Sequence, residues 1–203
     1  MKPVPKFILS SLCASLLAVS AQAADFLSGT AKFSAEGTVE QGVEKGVLNG
    51  VAYKVYYSDG SGIFAGKEGN NLGVGEQLGS NWDIECKTDA MTDKKTCSMH
   101  RGDLWVYVHG TGKAVVSIGA EHFPGTSVAI RIDGGKPIST SSANDGDFSG
   151  AASASLIAQL KKAKSVTTRY MKWPYQQYID DTRDAFGFKE AFQYITWAVK
   201  HGK

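Results

Sequence analysis

Asn81-Trp82-Asp83-Ile84-Glu85-Cys86, a polar run from Asp89 to Lys95, and then Cys97 form the stretch that decides the fold. Trp82, Ile84 and Cys86 alternate with polar residues, so they occupy one face of an extended strand. The polar run reads as a loop, and Cys97 begins or lies in the strand that returns from it. A strand around Cys97 that pairs antiparallel with Trp82–Cys86 would bury Trp82 near the two cysteines and fix the register.

Outward from this pair the chain reads as more short strands. Downstream come Leu104 to His109, Ala114 to Ile118, Ser127 to Ile132 and Lys136 to Thr140. They are separated by Gly110-Thr111-Gly112-Lys113, Phe123-Pro124-Gly125 and Asp133-Gly134-Gly135, which carry turn chemistry. Upstream, residues 24–79 hold 12 of the 23 glycines. Ala31-Phe33-Ala35 alternates, Val51 to Tyr57 is β-branched and aromatic, Ser58-Asp59-Gly60 supplies a turn, and Ile63-Phe64 starts a return strand. Gly73-Val74-Gly75 with Gly79 has the wrong spacing for a phosphate loop and reads as linker.

Two helices follow. Ser153 can cap one running through Lys162, with Leu156, Ile157, Leu160 and Ala163 on one face. Val166 to Trp173 is extended up to Pro174. After Gly187, the residues Phe188, Ala191, Phe192, Ile195 and Val199 form an apolar stripe, with Lys189, Glu190, Gln193 and Lys200 falling elsewhere. The expected fold is mainly β: an antiparallel sheet or β-sandwich with two helices in the C-terminal third. Three segments are expected: a leader over 1–23, a Gly-rich β segment over 24–79 and a β domain with two helices over 80–203.

The leader reads as a secretory signal peptide. Lys2 and Lys6 precede a short apolar run, Phe7 to Val19, and Ala21-Gln22-Ala23 is a cleavage site. Cys13 does not follow a lipobox. Cleavage after Ala23 leaves 180 residues and two cysteines, Cys86 and Cys97. In an oxidising compartment these are expected to form a disulfide, worth about 3 kcal/mol for so short a loop. A reduced pair or a metal site are the alternatives, and the spacing is too wide for a Cys-x-x-Cys redox motif. The mature chain balances 20 Lys and Arg against 20 Asp and Glu. A neutral domain gives no support to nucleic-acid binding. No later stretch is long and apolar enough for a transmembrane segment.

Residues 81–200 resemble the invasion-associated locus B family of exported proteobacterial proteins. The resemblance lies in the order of Trp82-Asp83-Ile84-Glu85-Cys86, Cys97, Phe123-Pro124-Gly125-Thr126-Ser127-Val128, the strand Val128 to Gly134, the helix Ser155 to Lys161, and Gly187-Phe188-Lys189-Glu190-Ala191-Phe192. Many members carry a second cysteine pair where this chain has Ser139 to Gly150, which holds none. The resemblance implies a periplasmic or secreted location and a role at the host cell or envelope, and no catalytic mechanism.

The residues themselves offer few constellations. His100, His109, His122 and His201 lie in no metal-binding motif, although His100 and His109 could meet across strands. Glu121-His122 is a candidate dyad without a nucleophile elbow. Asn144-Asp145-Gly146-Asp147 lacks the downstream glutamate of a calcium loop. Arg101-Gly102-Asp103 spells an adhesion tripeptide, and would have to project from a hairpin tip to act as one. Trp173, Tyr175 and Tyr178 form the most exposed-looking aromatic cluster, a residue type suited to binding surfaces. The functional expectation is an exported, non-enzymatic binding protein that engages a protein or envelope ligand through Trp173, Tyr175 and Tyr178, with no cofactor and no metal. The alternatives are an envelope hydrolase using Glu121 and His122, and a purely structural envelope or stress protein.

Overall fold

A computed structural model describes residues 26–27, 42–67, 72, 80–119, 121–140 and 146–201. The leader, the alternating Ala31-Phe33-Ala35, the Gly73–Gly79 linker and Asn144-Asp145 lie outside the described residues.

Seven strands form one antiparallel meander in which each is bonded to its sequence neighbours. They are β1 (Val43–Leu48), β2 (Val51–Tyr56), β3 (Gly62–Phe64), β4 (Trp82–Thr88), β5 (Lys95–Arg101), β6 (Leu104–His109) and β7 (Ala114–Ile118). A second antiparallel sheet has the order β11-β10-β8-β9, with β8 (Ala129–Ile132), β9 (Ile138–Ser139), β10 (Ser165–Lys172) and β11 (Gln177–Asp184). Helix α1 (Gly150–Leu160) packs on β7, and α2 (Phe188–His201) packs across β3 to β6. The fold is thus mainly β with two helices, as expected. β3 pairs with β4, so strands from 24–79 and strands from 80 onward share one sheet.

The central strands follow the period of two that the sequence suggests. Trp82, Ile84 and Cys86 of β4, Cys97 and Met99 of β5, and Leu104, Val106 and Val108 of β6 are all buried toward α2. Cys86 and Cys97 are directly opposite each other in the β4–β5 ladder and form the disulfide, with Cα atoms 4.1 Å apart. The bond staples the register that places the apolar set inward.

Helix α2 differs from its predicted stripe. Phe188, Ala191 and Ile195 are buried, and so are Tyr194 and Ala198. Phe192 is half-buried at the rim, stacked on Phe188, with the Lys161 ammonium 4.4 Å over its ring. Tyr194 is accommodated because its hydroxyl donates to the Gly60 carbonyl at 2.8 Å. Burial first, and then nearby acidic groups, raise its pKa well above the ordinary phenol range. Glu190, expected outside, is buried and accepts from Asn49 Nδ2 at 3.2 Å, which ties the start of α2 to the β1–β2 turn. Phe188→Ala should therefore cost about 3 to 5 kcal/mol, with Phe192→Ala clearly milder and Glu190→Ala no longer silent. Thermal unfolding of the three variants checks this ranking; equal small shifts would contradict the packing.

Helix α1 begins earlier than the sequence suggests. Ser149 is its N-cap, accepting from the Ala152 N–H. Ser153 is wholly buried instead, where its hydroxyl donates to the Phe148 carbonyl and accepts from the Val116 N–H. A serine in the first turn thus joins the helix to β7, a use its cap-like chemistry does not distinguish.

Two strands have no counterpart in the sequence reading, β1 and β11. β11 is mostly polar, with Tyr178 and Ile179 as its apolar residues, and its pattern makes sense only beside β10. Arg169 and Asp180 form a paired salt bridge across the ladder. Thr167 and Thr182 share a hydroxyl hydrogen bond of 2.9 Å.

Candidate functional site

The turn between β10 and β11 carries Trp173, Pro174 and Tyr175. It is a firm base, because the two strands pair over their full length, from Lys172 with Gln177 to Ser165 with Asp184. Residues 121–123 dock alongside the end of β10. The Phe123 N–H donates to the Met171 carbonyl at 2.6 Å, and the Trp173 N–H donates to the Glu121 carbonyl at 2.9 Å. Phe123 also packs against the Trp173 ring, centroids 5.0 Å apart.

These segments enclose an open depression of about 580 Å³, with Glu121, His122, Pro124, Trp173, Pro174 and Tyr175 around it. Trp173 is 52% exposed and Tyr175 75% exposed. Lys172 forms the remaining wall, its ammonium 3.6 Å from the Glu121 carboxylate. Tyr178 is exposed as well, but it lies along β11 near the Arg169 guanidinium and does not line the depression. The structure therefore brings together two of the three expected aromatic residues, and places Glu121 and His122 beside them.

The chemistry of Glu121 and His122 is constrained by their partners. His122 Nε2 lies 2.7 Å from the Thr126 carbonyl. A carbonyl only accepts, so Nε2 carries the proton and Nδ1 alone is left to receive another. Glu121 is directed at Lys172. Among the described residues no serine, threonine or cysteine lines the depression.

The adhesion tripeptide is not presented. Arg101 is only 3% exposed. Its guanidinium donates to both carboxylate oxygens of Asp184, at 3.0 and 2.7 Å, and to the Asp184 carbonyl at 2.9 Å. Gly102 adopts φ +56°, and a Cβ there would come within 1.9 Å of Asp181 Oδ2. The glycine thus belongs to a tight β5–β6 turn packed against β11. Asp103 faces Tyr170 and Asp181; burial first, and the Asp181 charge second, push its pKa up. The tripeptide is a folding element.

His100 and His109 do not meet. They sit at opposite ends of the β5–β6 hairpin, His100 stacked on Trp105 and His109 beside Thr96. Among the described residues no cluster of three metal-ligating side chains occurs. No helix among them is long and apolar enough to cross a membrane.

One polar surface was not anticipated. Asp83, Glu85, Ser98, His100, Trp105 and Tyr107 share the face of the seven-stranded sheet turned away from α2. The alternation of β4 to β6 contains this signal, since every second residue there is polar or aromatic. No family model, no curated protein and no solved structure matches the chain.

Proposed function

We propose that the protein is an exported, non-enzymatic binding protein, periplasmic or secreted, that engages a protein or envelope ligand through the depression at the β10–β11 turn. The observation that carries this reading is the large exposure of Trp173 and Tyr175 on a firmly paired hairpin. Rigid aromatic side chains offer contact area and lose little rotamer freedom on binding. Pro124 and Pro174 stiffen the same surface. The Cys86–Cys97 disulfide supports an oxidising compartment, in keeping with the signal-peptide reading of residues 1–23. The resemblance to the invasion-associated locus B family supports an envelope or host-cell setting.

Affinity capture from periplasm and from host-cell extract tests the reading with three forms of the mature protein. The wild type should retain a partner. Trp173→Ala/Tyr175→Ala should lose it, with affinity down by about thirtyfold or more, the scale of a lost hot spot. Glu121→Gln/His122→Ala should retain it. If the acidic and histidine side chains were needed and the aromatic ones were not, the hydrolase reading would take its place.

A further inference from the structure

The face of the disulfide-bearing strands turned away from α2 carries a hollow that is separate from the depression at the β10–β11 turn. Glu85, Ser98 and Tyr107 occupy one register row across β4, β5 and β6. Their strand neighbours Cys86, Cys97, Met99, Val106 and Val108 are buried toward α2, so this row faces outward. Ser98 is small, and it sits between two larger residues. The result is a hollow of about 320 Å³, lined by Glu85, Lys87, Thr96, Ser98, Trp105 and Tyr107.

Its walls have distinct chemistry. On the β6 side the Trp105 and Tyr107 rings lie 6.0 Å apart and within 11° of parallel. His100 stacks on Trp105 at 4.0 Å and stiffens that wall. On the β4 side stand one acid and one base, Glu85 and Lys87, 3.9 Å apart. Opposite signs on one wall disfavour a bare cation or a bare anion and suit a neutral molecule that both donates and accepts hydrogen bonds. The floor is Ser98, only 8% exposed, whose hydroxyl makes no hydrogen bond among the described residues. The hydroxyl lines the hollow, so a ligand hydroxyl can take the place of solvent as its hydrogen-bond partner. The Tyr107 phenol keeps its proton and remains a donor, because burial first, and then Asp147 and Glu85, raise its pKa.

We propose that this hollow is a saccharide-binding site, in which a sugar ring lays a C–H face on the Trp105–Tyr107 wall and exchanges hydroxyl hydrogen bonds with Ser98, Glu85 and Lys87. Aromatic side chains supply the apolar contact, and the few convergent polar groups set the orientation.

The test is titration of the oxidised mature protein with maltotriose, cellotriose and chitotriose, followed by backbone amide shifts and tryptophan fluorescence. At least one of the three should bind saturably, with shifts centred on β4 to β6. Ser98→Leu, which fills the hollow, and Glu85→Gln, a change at an exposed side chain, should each weaken binding by about tenfold or more. Trp173→Ala should leave it unchanged. Absence of saturable binding by all three sugars would overturn the proposal. So would binding that Glu85→Gln and a folded Ser98→Leu leave intact, or binding of tetramethylammonium at the same amides in place of a sugar.

Discussion

Trp82→Ala should destabilise the protein by about 3 to 5 kcal/mol, the cost of deleting a large aromatic side chain from a packed core. Trp82 is almost wholly buried. It meets Phe188 edge-to-face at a centroid distance of 5.3 Å, and the Arg101 guanidinium lies 6.0 Å from its ring. Its indole N–H donates to the part-buried Phe186 carbonyl at 2.8 Å, so the truncation also removes a hydrogen bond that ties β4 to the entry of α2. β4, the entry to α2 and the β5–β6 turn all lose a shared neighbour at once. For a chain of this size the midpoint of thermal unfolding should fall by roughly 6 to 20 °C. Trp173→Ala, at an exposed position, should stay within about 0.5 kcal/mol of wild type. Comparable shifts for the two variants would mean that Trp82 does not organise the core.

Arg101→Met should have a similar cost, about 3 kcal/mol, and a distinct pH signature. Removing one member of a buried ion pair leaves the other charge uncompensated. Asp184 keeps some access to water, which places the cost at the low end of the range for such pairs. Burial alone would raise the Asp184 pKa. The hydrogen bonds and charge of Arg101, with the Phe186 N–H, outweigh it and hold the carboxyl below its ordinary value of 3.8. Its contribution is therefore fully present above about pH 4, and it is lost as the pH falls below 3.8 through the lower folded value. Denaturant unfolding from pH 7 to pH 2 should show a shallower acid loss in Arg101→Met than in wild type. Arg101→Met/Asp184→Asn should recover part of the stability at neutral pH. Parallel pH profiles for wild type and Arg101→Met would remove the pair from the account.

The parts of the fold legible in the sequence are those where one face is buried and the period is short. Trp82-Asp83-Ile84-Glu85-Cys86 shows its inward set directly, and the disulfide opposite confirms the register. β11 was not legible because Asp180, Thr182 and their neighbours are stabilised by cross-strand partners on β10, a relation absent from any local window. α2 was placed correctly but rotated, because Tyr194 counts as inward only once Gly60 offers its carbonyl, and Glu190 only once Asn49 offers its amide. Arg101-Gly102-Asp103 read as a possible surface motif because nothing nearby in sequence reveals Asp184. Of the candidate site, Trp173 and Tyr175 were visible as aromatic residues beside a proline. Their meeting with Glu121 and His122 depends on residues 121–123 docking along β10, a long-range pairing.

Amide hydrogen exchange of the oxidised mature protein, with and without its captured partner, locates the surface that the partner covers. If the depression at the β10–β11 turn is where the partner binds, protection should rise in residues 121–123 and 172–178 and change little in the strands of the seven-stranded sheet. Protection that rose only elsewhere, with the amides around Trp173 and Tyr175 unchanged in the complex, would contradict it.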